Sequence, residues 1–391
     1  MQFIETLNYC WQQKVPAVIA TIIETKGSTY RQLGAKSVFL AGNDQFKGIL
    51  SGGCVEEDLR LHCKKVLEEG QSQIINYDFG NDDLTWGLGV GCNGGLKVWL
   101  HPFDPTKYSK ETKRIINLYE KAFTSKDAFS VISVINSSVR IDQLSNYFPL
   151  IFDESDLHHL FDILEVENLS NLIKQRKTGL VREEVSIKDN GHKVDLEFYV
   201  ETVNPVKRMV IFGAGPDAIP LVEGAKLLGW YVTLVDHRSA YANQEAFPRA
   251  DEIIIIGPNE FPKHLRLDKN TKVVIKSHHF YQDLIYLENL LYRNPSYIGV
   301  LGARSRTQRI LKKLKLRGHK ISKDQLERLF FPAGLNIGAE TPEEIALSIL
   351  SEIVSHPHHQ HVLPLKWKKG RIHERSIESR CCSSNVVGAL T

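Results

Sequence analysis

Between positions 207 and 238 the chain reads K-R-M-V-I-F-G-A-G-P-D-A-I-P-L-V-E-G-A-K-L-L-G-W-Y-V-T-L-V-D-H-R, and this stretch restricts the fold more than any other. Residues 209–212 are an apolar run of buried-strand length, and Gly213-Ala214-Gly215 is a tight turn. Ala218, Ile219, Leu221, Val222, Ala225 and Leu228 then share one face at helical spacing. Gly229 stands where a helix end favours positive φ, and residues 231–235 make a second strand that ends in Asp236. A strand–turn–helix–strand unit of about 30 residues is the context that a dinucleotide fingerprint requires. Gly213 and Gly215 would let a phosphate approach the backbone N–H groups, and Asp236, 21 residues after Gly215, stands where a ribose hydroxyl would donate. Pro216 removes one donor, and Asp217 adds a negative charge beside the cradle. A scaffold that holds no nucleotide, with Asp217 capping the helix, is the alternative reading.

The alternation continues. Residues 252–256, 272–276 and 297–301 are further apolar runs, separated by helical or irregular segments. A C-terminal Rossmann-like, doubly wound parallel sheet over 206–355 is expected, with ligands at the C-terminal strand edges. The candidates there are Gly213, Gly215, Asp236, Ser277-His278-His279 and Gly302-Ala303-Arg304. His278 and His279 could act as acid, base or ligand, or be plain polar residues. Arg304 opens a helix where phosphate contact and solvation both remain open. Thr341-Pro342-Glu343-Glu344 reads as the cap of a helix reaching about Ser355.

Residues 1–204 form an N-terminal α/β domain in this reading, with its motifs in 1–104. A helix carries Phe3, Ile4, Leu7, Cys10 and Trp11, and a buried strand covers 15–23. A polar loop with Arg31 follows, then a hairpin at 37–41 and 46–50. In Ser51-Gly52-Gly53-Cys54-Val55-Glu56 the glycines form a turn at a helix N-terminus, with Cys54 at the first helical position, where the dipole and free N–H groups favour a thiolate. Gly70 suits the end of that helix, and Cys63 lies on its apolar face as a core residue. Between strands at 73–79 and 96–101, five glycines fall within nine residues around Cys92, a loop able to wrap a ligand or merely to turn tightly. Cys54 and Cys92 are not in C-x-x-C pairs, which disfavours structural zinc; a pair of ligating thiolates and two unrelated turn residues remain as readings. Residues 106–204 show no chemistry, only strands at 129–135 and 198–202 and a helix over 153–164. Asn204-Pro205 marks the boundary.

A net charge of +3 and the lack of a basic, aromatic-interleaved stripe before the tail argue against nucleic acid as a partner. No apolar run is long enough to span a bilayer, and the N-terminus does not read as a signal peptide. Six cysteines in 391 residues do not make a disulfide framework, so a cytoplasmic protein with reduced thiols is expected. The segment 356–391 is a basic tail containing His and Cys, either metal-binding or simply solvated.

With these stretches in view, the chain resembles the xanthine dehydrogenase accessory protein family of the XdhC/CoxI type. The resemblance rests on Gly27-Ser28-Thr29-Tyr30-Arg31, Ser51-Gly52-Gly53-Cys54-Val55-Glu56 and Gly89-Val90-Gly91-Cys92-Asn93-Gly94-Gly95. In the second domain it rests on Gly213-Ala214-Gly215, on Ile298 to Arg304 and on Pro332 to Ala346. The family's histidine after the first glycine turn is here Pro216, and its T-H-D-type motif appears as Lys276-Ser277-His278-His279.

The resemblance implies a chaperone for the molybdenum cofactor (molybdopterin) rather than a turnover enzyme. Such a protein protects the cofactor, supports its sulfuration with a cysteine desulfurase, and inserts it into a molybdenum hydroxylase of the xanthine dehydrogenase type. It also implies a homodimer. Arg31, Gly52, Gly53, Cys54, Gly91, Cys92, Asn93, Gly213, Gly215, Asp236 and Arg304 become the expected cofactor-binding residues. Cys54 and Cys92 become the metal contacts, with Cys54 the sulfur relay. A nucleotide in the Rossmann cleft stays open. The competing expectation is an NAD(P)-dependent oxidoreductase built on Gly213, Gly215 and Asp236, although no convergent acid, base and electrophile accompany them. A redox or metal sensor using the tail is a third.

Overall fold

The computed structural model describes residues 2–27, 29–42, 44–79, 94–137, 151–153, 164–165, 173–175, 177–187, 193–257, 260–356 and 362–367. The chain divides into two compact units, 1–205 and 206–391.

In the first unit, α1 (Gln2–Gln12) leads into β1 (Ala17–Gly27), β2 (Lys36–Leu40) and β3 (Gln45–Lys47). Then come α2 (Glu56–Glu69), β4 (Gln73–Asp78), β5 (Gly94–Phe103) and α3 (Ser109–Thr124). The antiparallel sheet has the order β3-β2-β1-β5-β4. Strand β1 shows why it is central. Val18, Ala20 and Ile22 pack against Leu59, Cys63 and Val66 of α2, while Ala17, Ile19 and Ile23 face α1, α3 and a second sheet. A strand apolar on both faces is a strand covered on both faces. Gly70 ends α2 with φ 67° and donates its N–H to the Val66 carbonyl, as its position in the sequence suggests.

The second sheet, β7-β6-β10-β9-β8, is antiparallel and comes from the stretch in which the sequence shows no chemistry. It comprises β6 (Phe129–Ser137), β7 (Ile151–Asp153), β8 (Leu164–Glu165), β9 (Gly179–Ile187) and β10 (Lys193–Val203). The helix expected over 153–164 falls largely outside the described residues, and its two ends lie in β7 and β8. Strand β9 escapes sequence reading because charges at 182–184 interrupt its apolar alternation.

The second unit is a six-stranded parallel sheet in the order β13-β12-β11-β14-β15-β16. Its strands are β11 (Arg208–Phe212), β12 (Tyr231–Asp236), β13 (Glu252–Ile255), β14 (Thr271–Ile275), β15 (Tyr297–Val300) and β16 (Leu329–Phe330). This is the doubly wound arrangement, with the order reversing between β11 and β14. Met209 and Ile211 pack with α4 (Ile219–Leu227) and α8 (Pro342–Ser355) on one face. Val210 and Phe212 pack with α5 (Phe280–Leu291) and α6 (Arg304–Leu316) on the other. A short α7 (Lys323–Glu327) precedes β16. Thr341 and Glu344 form the capping box that starts α8, as expected. Among the described residues no helix is long and apolar enough to cross a membrane.

One polar cluster lies within the core of the first unit. Lys36 pairs with Glu201 at 2.6 Å, and the Tyr119 hydroxyl donates to Glu201 Oε2 at 2.8 Å. They line a cavity of about 10 Å³ with His101, which is 1% exposed and stacked on Trp99. Burial pushes the His101 pKa down to about 3, so the folded ring stays neutral while the unfolded ring takes a proton near pH 6.5. The unfolded state therefore binds more protons between pH 6.5 and 3, and stability falls as pH drops through that window. Urea denaturation of the first unit should show a loss of up to about 1.4 kcal/mol per pH unit there. His101→Gln should flatten that slope; equal slopes would assign it to other groups.

Candidate functional site

Two glycine turns meet in the first unit. Gly52 (φ 79°) and Gly53 (φ 114°) adopt backbone conformations that other residues rarely take. A Cβ at Gly52 would sit 3.6 Å from the Tyr30 ring, so the loop carrying Tyr30 and Arg31 lies against the turn before α2. Gly27, which opens that loop, pairs with Gly94 at the start of β5, and Lys26 pairs with Gly95. A Cβ at Gly95 would approach the Tyr77 carbonyl oxygen to 3.0 Å. The loop at 27–34, the turn at 51–54 and the glycines that close the third motif are thus held by neighbouring elements of one sheet. Gly91, Cys92 and Asn93 lie outside the described residues. Among the described residues, Glu24, Lys26, Tyr77, Asp78, Gly95 and Lys97 line a cavity of about 210 Å³ at that sheet edge.

The turn itself is closed by an acid. Glu56 Oε1 accepts from the N–H groups of Leu50 (3.0 Å) and Ser51 (2.9 Å). Its Oε2 accepts from Gly53 N–H (3.0 Å) and from the Ser51 hydroxyl, which in turn receives Val55 N–H at 3.0 Å. Burial opposes the Glu56 charge, but these donors outweigh it and hold the carboxyl below its ordinary value. Two expectations change here. Helix α2 begins at Glu56 with Val55 as its cap, so Cys54 lies two positions before the helix rather than at its first residue. The N–H groups of Ser51, Gly53 and Val55 around Cys54 are not free to favour a thiolate, because they are bonded to Glu56 and Ser51. Cys54 remains half-buried, in contrast to Cys10 and Cys63. Burial pushes those two thiols up to about 11 and about 12, which makes them inert core residues.

In the second unit, Gly213 and Gly215 follow β11 and Lys276-Ser277-His278 follow β14, side by side where the strand order reverses. A Cβ at Gly213 would lie 2.5 Å from the Lys276 carbonyl oxygen. Asp236, 1% exposed, accepts Ala214 N–H at 2.7 Å, Arg238 N–H at 2.9 Å and the Arg238 guanidinium at 2.9 Å. Burial works against its charge, but Arg238 and these N–H donors bring its pKa to about 2. A ribose hydroxyl would have to share these acceptors. Asp217 caps no helix; its Oδ2 lies 2.7 Å from Lys276 Nζ and 2.9 Å from His278 Nε2. Burial disfavours the charge of both Asp217 and Lys276. Their pairing, with His278 beside it, still holds Asp217 below its ordinary value, whereas Lys276 stays lowered. His279 caps α5, its Nδ1 accepting Gln282 N–H at 3.3 Å. Arg304 is the exposed first residue of α6, its guanidinium 5.8 Å from the Phe331 ring centre.

Sequence reasoning missed Arg238 as the partner of Asp236, and the buried set in which Ser277 donates to Asp283 and Asp283 pairs with Arg306 at 2.7 Å. Only the lysine that ends the apolar run 272–276 hinted at a buried anion nearby. No cluster of three or more His, Cys, Asp or Glu suited to a metal ion occurs among the described residues. Removing the Glu56 acceptors by Glu56→Ala should destabilise the first unit by about 1–2 kcal/mol in urea denaturation, since three N–H groups lose their partner. Stability equal to the parent would mean that water replaces the carboxylate at no loss.

Both units find relatives. Residues 10–78 match the XdhC and CoxI family, and residues 209–353 match the XdhC Rossmann domain. The chain is 30% identical over 353 residues to a Bacillus subtilis (strain 168) protein whose name describes a probable xanthine dehydrogenase subunit, and the match covers 90% of this chain and 96% of that protein. It is 24% identical over 345 residues to the molybdenum cofactor insertion chaperone PaoD of Escherichia coli (strain K12), covering 88% of this chain and 84% of that one. A crystal structure described as a xanthine dehydrogenase from Bacillus halodurans superimposes with a TM-score of 0.67 at 29% identity, covering 94% of this chain and 99% of that one. With both motif-bearing regions matched and a relative aligned over nearly its whole length, the chain belongs to the XdhC and CoxI family.

Proposed function

We propose that this protein is a molybdenum cofactor insertion factor, which carries the cofactor to a molybdenum hydroxylase of the xanthine dehydrogenase type and protects it on the way. The observation that carries the reading is likeness along most of the chain to an insertion chaperone, with the motifs of that family in both units. The name of the Bacillus subtilis relative supports the client class. A cofactor that brings a soft, sulfur-rich metal centre takes a thiolate contact. Cys54 can supply that contact. It is half-buried beside Gly53, where an added Cβ would meet nothing within 4 Å, so a ligand can approach the backbone.

In this account Gly52, Gly53 and Arg31 line the approach to Cys54, which acts as thiolate contact and sulfur relay. Gly91, Cys92 and Asn93 complete the site, Cys92 as second metal contact. Gly213 and Gly215 receive a phosphate group in the Rossmann cleft. Asp236 shapes that turn through Ala214 and Arg238, and Arg304 stands after β15, two strands from β11. A cysteine desulfurase as sulfur donor, a homodimer and a cytoplasmic location belong to the same proposal.

The test is transfer in vitro. Cofactor-loaded protein is mixed with an apo hydroxylase, and substrate oxidation by the hydroxylase is followed. Parent protein should restore activity, and Cys54→Ser, folded by circular dichroism, should restore it roughly tenfold less or worse, the scale set by losses at metal-ligand partners. Restoration at the same rate without the protein would refute the insertion role. Equal transfer by Cys54→Ser would remove Cys54 from it.

A further inference from the structure

The Gly213-Ala214-Gly215 turn leaves room for a close neighbour, and the neighbour present is an acid of the chain itself. A Cβ at Gly215 would meet Asp217 Oδ1 at 2.5 Å. The other Asp217 oxygen gathers Lys276 at 2.7 Å and His278 at 2.9 Å. These groups project from the ends of adjacent parallel strands at the reversal of strand order, the crevice where ligands of doubly wound sheets bind.

The cationic side of the cluster is positioned without help from Asp217. Lys276 is 3% exposed, its backbone N–H bonded to the Phe212 carbonyl and its carbonyl against Gly213. His278 has φ 57°, an uncommon backbone conformation for a residue with a side chain. The preceding Ser277 donates to Asp283, buried and paired with Arg306, and Ser277 Oγ accepts His279 N–H at 3.2 Å. The carboxylate side is looser: Asp217 is about a third exposed, and among the described residues it is held by an ion pair to Lys276 and a bond to His278.

We propose that this crevice is an anion site which the resting protein fills with its own Asp217 carboxylate, and that a phosphate or pyrophosphate group of a ligand displaces Asp217 and takes over Lys276 and His278. The inference rests on the reading above that Gly213 and Gly215 receive a phosphate. The exchange leaves no buried cation alone, because one anion replaces another at Lys276. It also explains why an acid stands where a phosphate cradle should exclude one: with Asp217 in place the pair is neutral, and an approaching anion meets little attraction. Asp217 therefore sets a threshold for occupancy.

The experiment is calorimetric titration of inorganic pyrophosphate, at low ionic strength, into the full-length chain, Asp217→Asn, and Asp217→Asn combined with Lys276→Met. Asp217→Asn should bind about tenfold tighter than the parent or more, and the added Lys276→Met should abolish the gain. Equal binding by parent and Asp217→Asn overturns the displacement but keeps the phosphate site. No binding by either overturns both. Should Asp217→Asn fail to fold, the parent protein with labelled histidine decides. Pyrophosphate should shift a ring-nitrogen resonance that is missing in His278→Asn, and a resonance unmoved at saturation overturns the proposal.

Discussion

A side chain at position 213 would place its Cβ 2.5 Å from the Lys276 carbonyl oxygen, closer than any real contact, and much of the second unit follows from that near-touch. Because only glycine allows β11 to finish this close to the end of β14, the two strands can lie side by side at the reversal of the sheet. Lys276 is thereby carried into the interior beside the turn, and a buried ammonium requires an anion. Asp217 answers that requirement. The first unit meets a similar constraint at Gly52 and Gly53, whose positive φ values let the chain double back so that Glu56 can bond the N–H groups of the turn.

An acid stands within a few residues of each of these two turns, Glu56 after Gly52-Gly53 and Asp217 after Gly213-Ala214-Gly215. Glu56 bonds backbone donors directly and leaves Cys54 at the surface of the turn. Asp217 instead pairs with side chains brought from another strand. The first arrangement is local and stiffens the turn; the second depends on the tertiary fold and can be exchanged for another anion. In the roles proposed for them, the first turn presents Cys54 and the second takes up a charge.

The second unit is the more legible in the sequence. Short apolar strands alternating with helical stretches, punctuated by Gly213, Gly215 and Gly229, have few folded solutions, and the parallel sheet follows from them. Strand β9 is illegible because charged residues at 182–184 interrupt its alternation, although its hairpin partner β10 is read from the apolar run at 198–202. The start of α2 falls two residues later than its pattern suggests because Glu56, which looks like a first-turn acid, turns back to bond the loop before it. In sequence Asp217 looks like a liability for phosphate or a helix cap, since its partners, Lys276 and His278, are distant along the chain and only the fold unites them. The glycines and acids of the candidate sites are visible in the sequence, while the groups those acids bond are not.

The central claim is that the molybdenum cofactor is this protein's cargo. The most direct measurement is the molybdenum and pterin content of the chain purified anaerobically from cells that make the cofactor. Metal analysis and the fluorescence of the oxidised pterin should both report near-stoichiometric amounts, and both should fall together in Cys54→Ser. Pure, folded protein that carries neither, or that carries a nicotinamide nucleotide in their place, would contradict the account.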